Sequence, residues 1–168
     1  MNVPPLSLEG KCLIASPHLN GSPFAHTLIL VTHDDPEDGS LGVIFNKNTR
    51  YTLGDFLESV SPSLKDTPIF NGGPVDTTVL TIIALSYAGN ALFIKSHLTP
   101  PMAEAFLKEH SQHESSQIRS YLGYAGWSPG QLQSELVEGD WQLLPFTPAL
   151  LEPLPGERLW AWANEQAK

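Results

Sequence analysis

Gly126-Trp127-Ser128-Pro129-Gly130 has the G-x-S-x-G spacing of a hydrolase nucleophile elbow, in which a serine between a strand and a helix attacks a carbonyl. That chemistry fails on two counts. The residue after the serine must lend its backbone N–H to the oxyanion, and Pro129 has none. No histidine follows Ser128 to act as base in the hydrolase order. The same residues read better as the start of a helix, with Ser128 as N-cap, Pro129 at the first helical position and Gln131 closing a capping box. A hydroxyl used that way contributes about 1 kcal/mol.

Other residues with chemical potential fare similarly. Asp34, Asp35, Glu37 and Asp38 suggest a hard-metal loop, but Pro36 falls on the third ligand position and Phe45 stands where an EF-hand needs its bidentate Glu. They are expected to form a solvated hairpin tip whose acids can be removed at a cost within ~0.5 kcal/mol. The six histidines lack the cysteines or the H-E-x-x-H helix of a zinc site, so no metal site is assigned. Cys12, in an apolar run, reads as a small core residue. Gly72-Gly73-Pro74 can form either an anion-binding nest of backbone N–H groups or a plain tight turn. Asn46 and Lys47 stand at a strand end, where polar groups often gather around a site. The candidate ligand or partner surface is therefore Asn46, Lys47, Gly72, Gly73, Pro74, Tyr124 and Trp127, with no catalytic residue and no cofactor assigned.

These residues need a scaffold, and the composition allows one. A chain of 168 residues with 41% hydrophobic content buries a core without disulfides, and one cysteine offers none. No segment resembles a secretory leader or an apolar span of ~18 residues, so a cytoplasmic protein without membrane contact is expected. Nine bases against 18 acids give a formal charge of -9 with no basic cluster. Direct nucleic-acid binding, which rests on neutralising phosphates, is excluded as an expectation.

Residues 1–10 read as an extended lead-in and 11–165 as one domain. Strands are expected at 11–16, 27–33, 41–46, 68–70, 78–85, 91–95, 118–124 and 141–144. Residues 27–46 form an antiparallel pair, and 78–95 a second hairpin turning at Gly89-Asn90. Helices are expected at 52–60, capped by Thr52 and Asp55 and stopped by Pro62, and from Thr99-Pro100 to His110, with Met102, Ala103, Phe106 and Leu107 inward. Two more run from Ser128 to Val137 and from 157 to 165. Hairpins outnumber strand-helix-strand units, which favours α+β: a single compact domain, its mixed, largely antiparallel sheet packed with helices.

Four motifs then carry a resemblance: Leu-Ile-Ala-Ser-Pro at 13–17, Leu-Gly-Val-Ile-Phe-Asn-Lys at 41–47, Gly-Gly-Pro-Val at 72–75, and Gly-Tyr-Ala-Gly-Trp-Ser-Pro-Gly-Gln-Leu at 123–132. With Trp141 and the Glu157-Arg158-Leu159-Trp160 tail, the chain resembles the bacterial AlgH/YqgE family over roughly residues 11–162. The resemblance implies a compact α+β domain, carries the label of a transcriptional regulator of alginate synthesis, and implies no activity. Two features depart from it. The family's Arg-Gly-Phe stretch and later His after Gly-Gly-Pro are replaced by Val79-Leu80-Thr81 and Ala84, and its Asn-Lys-Pro becomes Asn46-Lys47-Asn48.

The leading expectation is a non-catalytic binding or regulatory protein that acts through a protein partner or small ligand. The alternatives are an enzyme using Asn46, Lys47 and Tyr124 between the Gly-Gly-Pro turn and the Gly-Tyr-Ala-Gly-Trp corner, and a transcriptional regulator acting indirectly. The oligomeric state is left open.

Overall fold

Successive residues of the apolar runs alternate between two clusters. Cys12 and Ile14 enter one while Leu13 and Ala15 enter another; Leu28 and Leu30 divide from Ile29 and Val31 in the same way, as do Val43 and Phe45 from Ile44. Side chains on a strand point alternately to opposite faces, so a sheet covered on both sides needs unbroken apolar runs. The computed structural model, which describes residues 7–88, 91–110, 117–147, 150 and 156–167, shows such a sheet.

Among the described residues it has nine strands. These are β1 (Lys11–Ala15), β2 (Leu28–Asp35), β3 (Gly39–Ile44), β4 (Asn48–Thr52), β5 (Pro68–Asn71), β6 (Val75–Ala88), β7 (Ala91–Lys95), β8 (Gln117–Trp127) and β9 (Trp141–Pro145). The order is β4-β5-β8-β3-β2-β1-β9, with β6 on β8 and β7 on β6. Every pairing is antiparallel except β5 with β8. The helices are α1 (Leu53–Phe56), α2 (Pro62–Lys65), α3 (Pro100–Glu109), α4 (Gln131–Glu138) and α5 (Gly156–Gln166). Leu159 and Ala163 of α5 join the first cluster, Leu132 of α4 the second, and Leu53, Leu64 and Ala103 of α1, α2 and α3 a third with Ile69 and Ile82. The fold is α+β with a mixed sheet, as expected, and no helix among the described residues is long and apolar enough to cross a membrane.

The helix expected over 52–60 starts where expected, at the Thr52 cap with Asp55 Oδ2 accepting from Thr52 N at 2.8 Å, but is cut short. Residues 48–52 before it form β4, α1 lasts four residues, and Leu57 turns extended at φ -122° and ψ 120°. Pro62 starts α2 rather than stopping a helix. Leu53, Leu57 and Val60 still reach the third cluster, but through two short turns, while Phe56 is exposed. The expected cap on α3 is present, with Thr99 Oγ1 accepting from Met102 N at 3.4 Å; Ala103 and Phe106 are buried and Leu107 packs partly buried on the third cluster, but Met102 is exposed. The Gly89-Asn90 turn and the polar stretch 111–116 lie outside the described residues.

Strand β8 holds the sheet together. Ser120, Tyr121 and Leu122 each pair with β5 and with β6, which therefore flank β8 on opposite edges. The short connection Gly72-Gly73-Pro74 has to pass over β8 to join them. It does so at Gly123, where no Cβ stands in the way: one on Gly72 would meet the Gly123 carbonyl, and one on Gly73 the Tyr124 carbonyl. One on Gly123 would meet the Gly73 carbonyl, and Gly123 has φ +78°. The kink there advances the alternation by one residue, so Tyr121 and Tyr124 both face the first cluster while Ala125 and Trp127 face the second.

Gly73→Ala and Gly123→Ala are each expected to destabilise by at least ~2 kcal/mol, because backbone and not a yielding side chain meets the new methyl. Gly126→Ala, where a Cβ makes only ordinary contacts, is expected to stay within ~0.5 kcal/mol. Urea midpoints of the three variants check this, and similar costs for all three would refute the crossing as the cause.

Candidate functional site

The Gly-Gly-Pro turn spans the crossing, and its backbone donors are already engaged. Gly72 N–H donates to the Leu122 carbonyl at 2.7 Å and Gly73 N–H to Asn71 Oδ1 at 3.3 Å, while Pro74 has no N–H. Of the two readings of this motif the structure supports the tight turn, because an anion would find no donor facing it.

Asn46 is buried and fully occupied. Its Oδ1 accepts from Leu28 N at 2.8 Å, and its Nδ2 donates to the carbonyls of His26 at 2.9 Å and Gly156 at 3.0 Å. One amide thus ties the start of β2, the end of β3 and the first turn of α5, which makes it a structural latch. Lys47 is half-buried and its carbonyl accepts from Asn71 N at 2.9 Å.

Ser128 is not the cap of α4. The helix begins at Gln131 behind Gly130, whose φ is +79°. The Gln131 side chain does reach back to Ser128 N at 3.0 Å, but the Ser128 hydroxyl makes no hydrogen bond among the described residues. The left-handed Gly130 inserts a turn that puts Ser128 and Pro129 outside the helix. Trp127 is no open surface either. It is 7% exposed and donates its indole N–H to Glu135 Oε1 at 3.2 Å, which also accepts from Trp141 Nε1 at 3.0 Å. Gln131 Nε2, one turn back on α4, donates to the other carboxylate oxygen at 2.9 Å, so Glu135 is tied to the sheet at two points and braced within its own helix by a third.

The hairpin tip also departs from expectation. Asp34 accepts from Ser40 Oγ at 2.7 Å and from Leu8 N at 2.7 Å, and Asp35 Oδ1 accepts from Glu37 N at 2.8 Å and Asp38 N at 2.9 Å. Two of the four acids therefore hold the turn and the incoming chain, and only Glu37 and Asp38 are simply solvated. The backbone donors of Asp38 and Glu37 hold the Asp35 carboxyl below its usual range.

The histidines are dispersed. His26 stacks on Trp160 at 4.1 Å, His110 lies 4.3 Å from Phe106, and His18, His33 and His97 are exposed. His113 lies outside the described residues. Among the described residues no three His, Cys, Asp or Glu side chains stand together as metal ligands. Cys12 is fully buried, and burial pushes its thiol well above the usual range.

Of the candidate residues, Tyr124 and Pro74 stand at one accessible corner. Tyr124 is half-buried against the first cluster and donates its hydroxyl to Asp76 Oδ2 at 3.2 Å; that carboxylate raises the phenol above its ordinary value. Around it lie Val75, paired with Tyr124, and Leu41, paired with Gly126, at 38% and 39% exposure. A Cβ on Gly126 would sit 3.7 Å from Tyr124 Cε2 and 3.8 Å from Leu41 Cδ2. Every other described glycine has either a positive φ or a neighbour closer than ordinary contact. Gly126 has neither, so the fold tolerates a side chain there, and its bareness leaves a notch between Tyr124 and Leu41. The signal in the sequence was weak: isolated exposed apolar residues are common and become a patch only when distant strands meet.

This sheet, its glycine crossing and its Gly-Tyr-Ala-Gly-Trp corner define one class of mixed-sheet α+β proteins. A profile of the AlgH-like family, DUF179, matches residues 12–168, and the chain belongs to that family. A UPF0301 protein of Chlorobium luteolum is 32% identical over 159 residues, covering 90% of this chain and 82% of the relative. The UPF0301 protein SCO2948 of Streptomyces coelicolor is 33% identical over 171 residues, with 92% and 83% covered. The solution structure of the AlgH protein from Pseudomonas aeruginosa superposes with a TM-score of 0.64 at 27% identity, covering all 100% of this chain and 93% of that one. Protein DIP2367 from Corynebacterium diphtheriae shares the fold, at TM-score 0.70 and 19% identity, with 100% and 91% covered.

Asn46→Ala strands one buried donor and two acceptors and is expected to cost about 2–4 kcal/mol, whereas Ser128→Ala is expected to stay within ~0.5 kcal/mol. Denaturant unfolding of both variants checks the contrast, and a larger loss at Ser128 would restore it as a cap. Asp35 carries its own pH signature. Its folded pKa lies below the unfolded one, so its stabilisation is complete above about pH 4 and is lost as pH falls through the lowered folded value. Asp35→Asn should flatten the acid side of the stability profile below about pH 4; an unchanged acid slope would contradict this.

Proposed function

We propose that this chain is a non-catalytic binding protein that docks a protein partner on the corner formed by Tyr124, Gly126, Leu41 and Val75. The observation that carries this reading is the division of labour among its polar groups. Asn46, Glu135, Asp34 and Asp35 are engaged within the fold, and Ser128 lacks a base and an oxyanion donor. The corner by contrast presents a fixed aromatic ring, two exposed aliphatic side chains and a notch, the kind of rigid apolar anchor site around which interfaces concentrate their affinity.

A formal charge of -9 supports a protein partner over nucleic acid. The regulatory label of the family is compatible with this if regulation passes through that partner without DNA contact. One buried thiol is compatible with a reducing, cytoplasmic setting.

A photo-crosslinking residue placed at position 124 should yield discrete protein adducts in cells, and one at Val137, 89% exposed on α4, should not. Gly126→Val, which fills the notch, should abolish the adducts at 124 while leaving the thermal midpoint within a few degrees. Equal labelling from both positions would overturn the proposal, as would robust turnover by the purified protein across hydrolase and transferase substrates.

A further inference from the structure

We infer that the partner enters as an extended, basic segment that adds a strand to the outer edge of β6 beside this corner. The inference rests on the reading of the corner as the docking surface and adds the form and charge of what docks.

Strand β6 is 14 residues long, but β7 pairs only with Ala84–Ala88, and Leu98 N–H takes the Ile82 carbonyl at 3.1 Å. Before that point, residues 75–81 have no strand on the side away from β8 among the described residues. On the other side the register with β8 breaks between Val75 and Leu80. Pro74 to Val79 are all exposed, with Val79 at 49%. A row of unpaired N–H and C=O groups on an exposed strand is the template that strand addition uses. Stable sheets ordinarily blunt such edges with lysine, short length, a bulge or a covering loop, and the register break between Val75 and Leu80 is the device this edge has. Here the edge is held by a glycine crossing at one end and the β7 hairpin at the other, and it carries no lysine.

The charge of the occupant follows from Asp76. It is the only ionised side chain from Pro74 to Leu85. Its carboxylate is fixed by the Tyr124 hydroxyl, and its backbone adopts φ +48°, a left-handed conformation that Asp tolerates better than most residues. A carboxylate fixed beside an open edge, on a chain of formal charge -9, favours Lys or Arg on the incoming strand and speeds encounter with it. Thr77 and Thr78 beside it suit a strand partner, since β-branched residues pack well across a ladder.

The test is an amide NMR titration of the full chain with three peptides: acetyl-(Val-Lys)4-amide, the same peptide N-methylated on every lysine, and acetyl-(Val-Glu)4-amide. For the first peptide, shift changes and slowed hydrogen exchange are expected at residues 77–81. Binding should weaken at least about tenfold for the other two, and for Asp76→Lys with the first. Absence of binding at millimolar peptide would overturn the inference, as would equal affinity for the N-methylated or the acidic peptide, or shifts confined to another face. Concentration-dependent self-association that protects residues 77–81 would also overturn it, because a second copy would then be the occupant. If position 124 crosslinks a partner but these peptides behave alike, only the strand inference fails. If position 124 crosslinks nothing, the reading of the corner fails first.

Discussion

Backbone against backbone at Gly123 is the contact on which the rest of the structure depends. The chain between β5 and β6 crosses β8 there without a side chain in the way, and three consequences follow from that one clearance. Strand β8 can take a parallel neighbour on one edge and an antiparallel neighbour on the other. Beyond the crossing its pairing passes to β3, at Ser40 to Gly42. The kink shifts the alternation of side chains, turning Trp127 inward to meet Glu135 and leaving Tyr124 at the rim of the first cluster. A larger residue at Gly123 would therefore alter the sheet order and the corner together.

Much of the sheet was legible in the residue order because both its faces are buried. Runs such as Leu-Ile-Leu-Val at 28–31 have no polar alternative, and the antiparallel pairs expected at 27–46 and 78–95 are present as β2 with β3 and β6 with β7. The Thr99-Pro100 helix start was legible because cap and proline act locally. Elsewhere two local readings competed and a distant strand decided. Leu53, Phe56, Leu57 and Val60 have helical spacing, yet Asn48 and Thr52 pair with Phe70 and Pro68, and the segment bends into two short helices. Ser128-Pro129-Gln131 reads as a helix start on local signals, and there the left-handed Gly130, not a distant strand, makes it a turn.

The candidate surface divides for the same reason. Asn46, Gly72, Gly73 and Trp127 are buried parts of the scaffold, while Lys47, Pro74 and Tyr124 keep access to solvent. Asn46 stands out in the sequence for its polarity at a strand end, but its partners His26 and Gly156 come from elsewhere in the chain, and only the assembled fold brings them to it. The notch at Gly126 was equally hidden. A glycine in a Gly-rich motif invites a conformational explanation, and its ordinary backbone and open surroundings become evident only in three dimensions.

The order of the strands also bears on how the protein is made. Strand β3 waits for β8, some eighty residues later, and β1 pairs with β9, so that Lys11 meets Pro145. A ribosome would thus release most of the sheet before its central strand emerges, leaving β2, β3, β5 and β6 with open apolar faces in the meantime. Non-local pairing of this kind slows folding and exposes intermediates to association. The interval during which those faces stand open is set by how soon residues 117–145 follow the strands that await them.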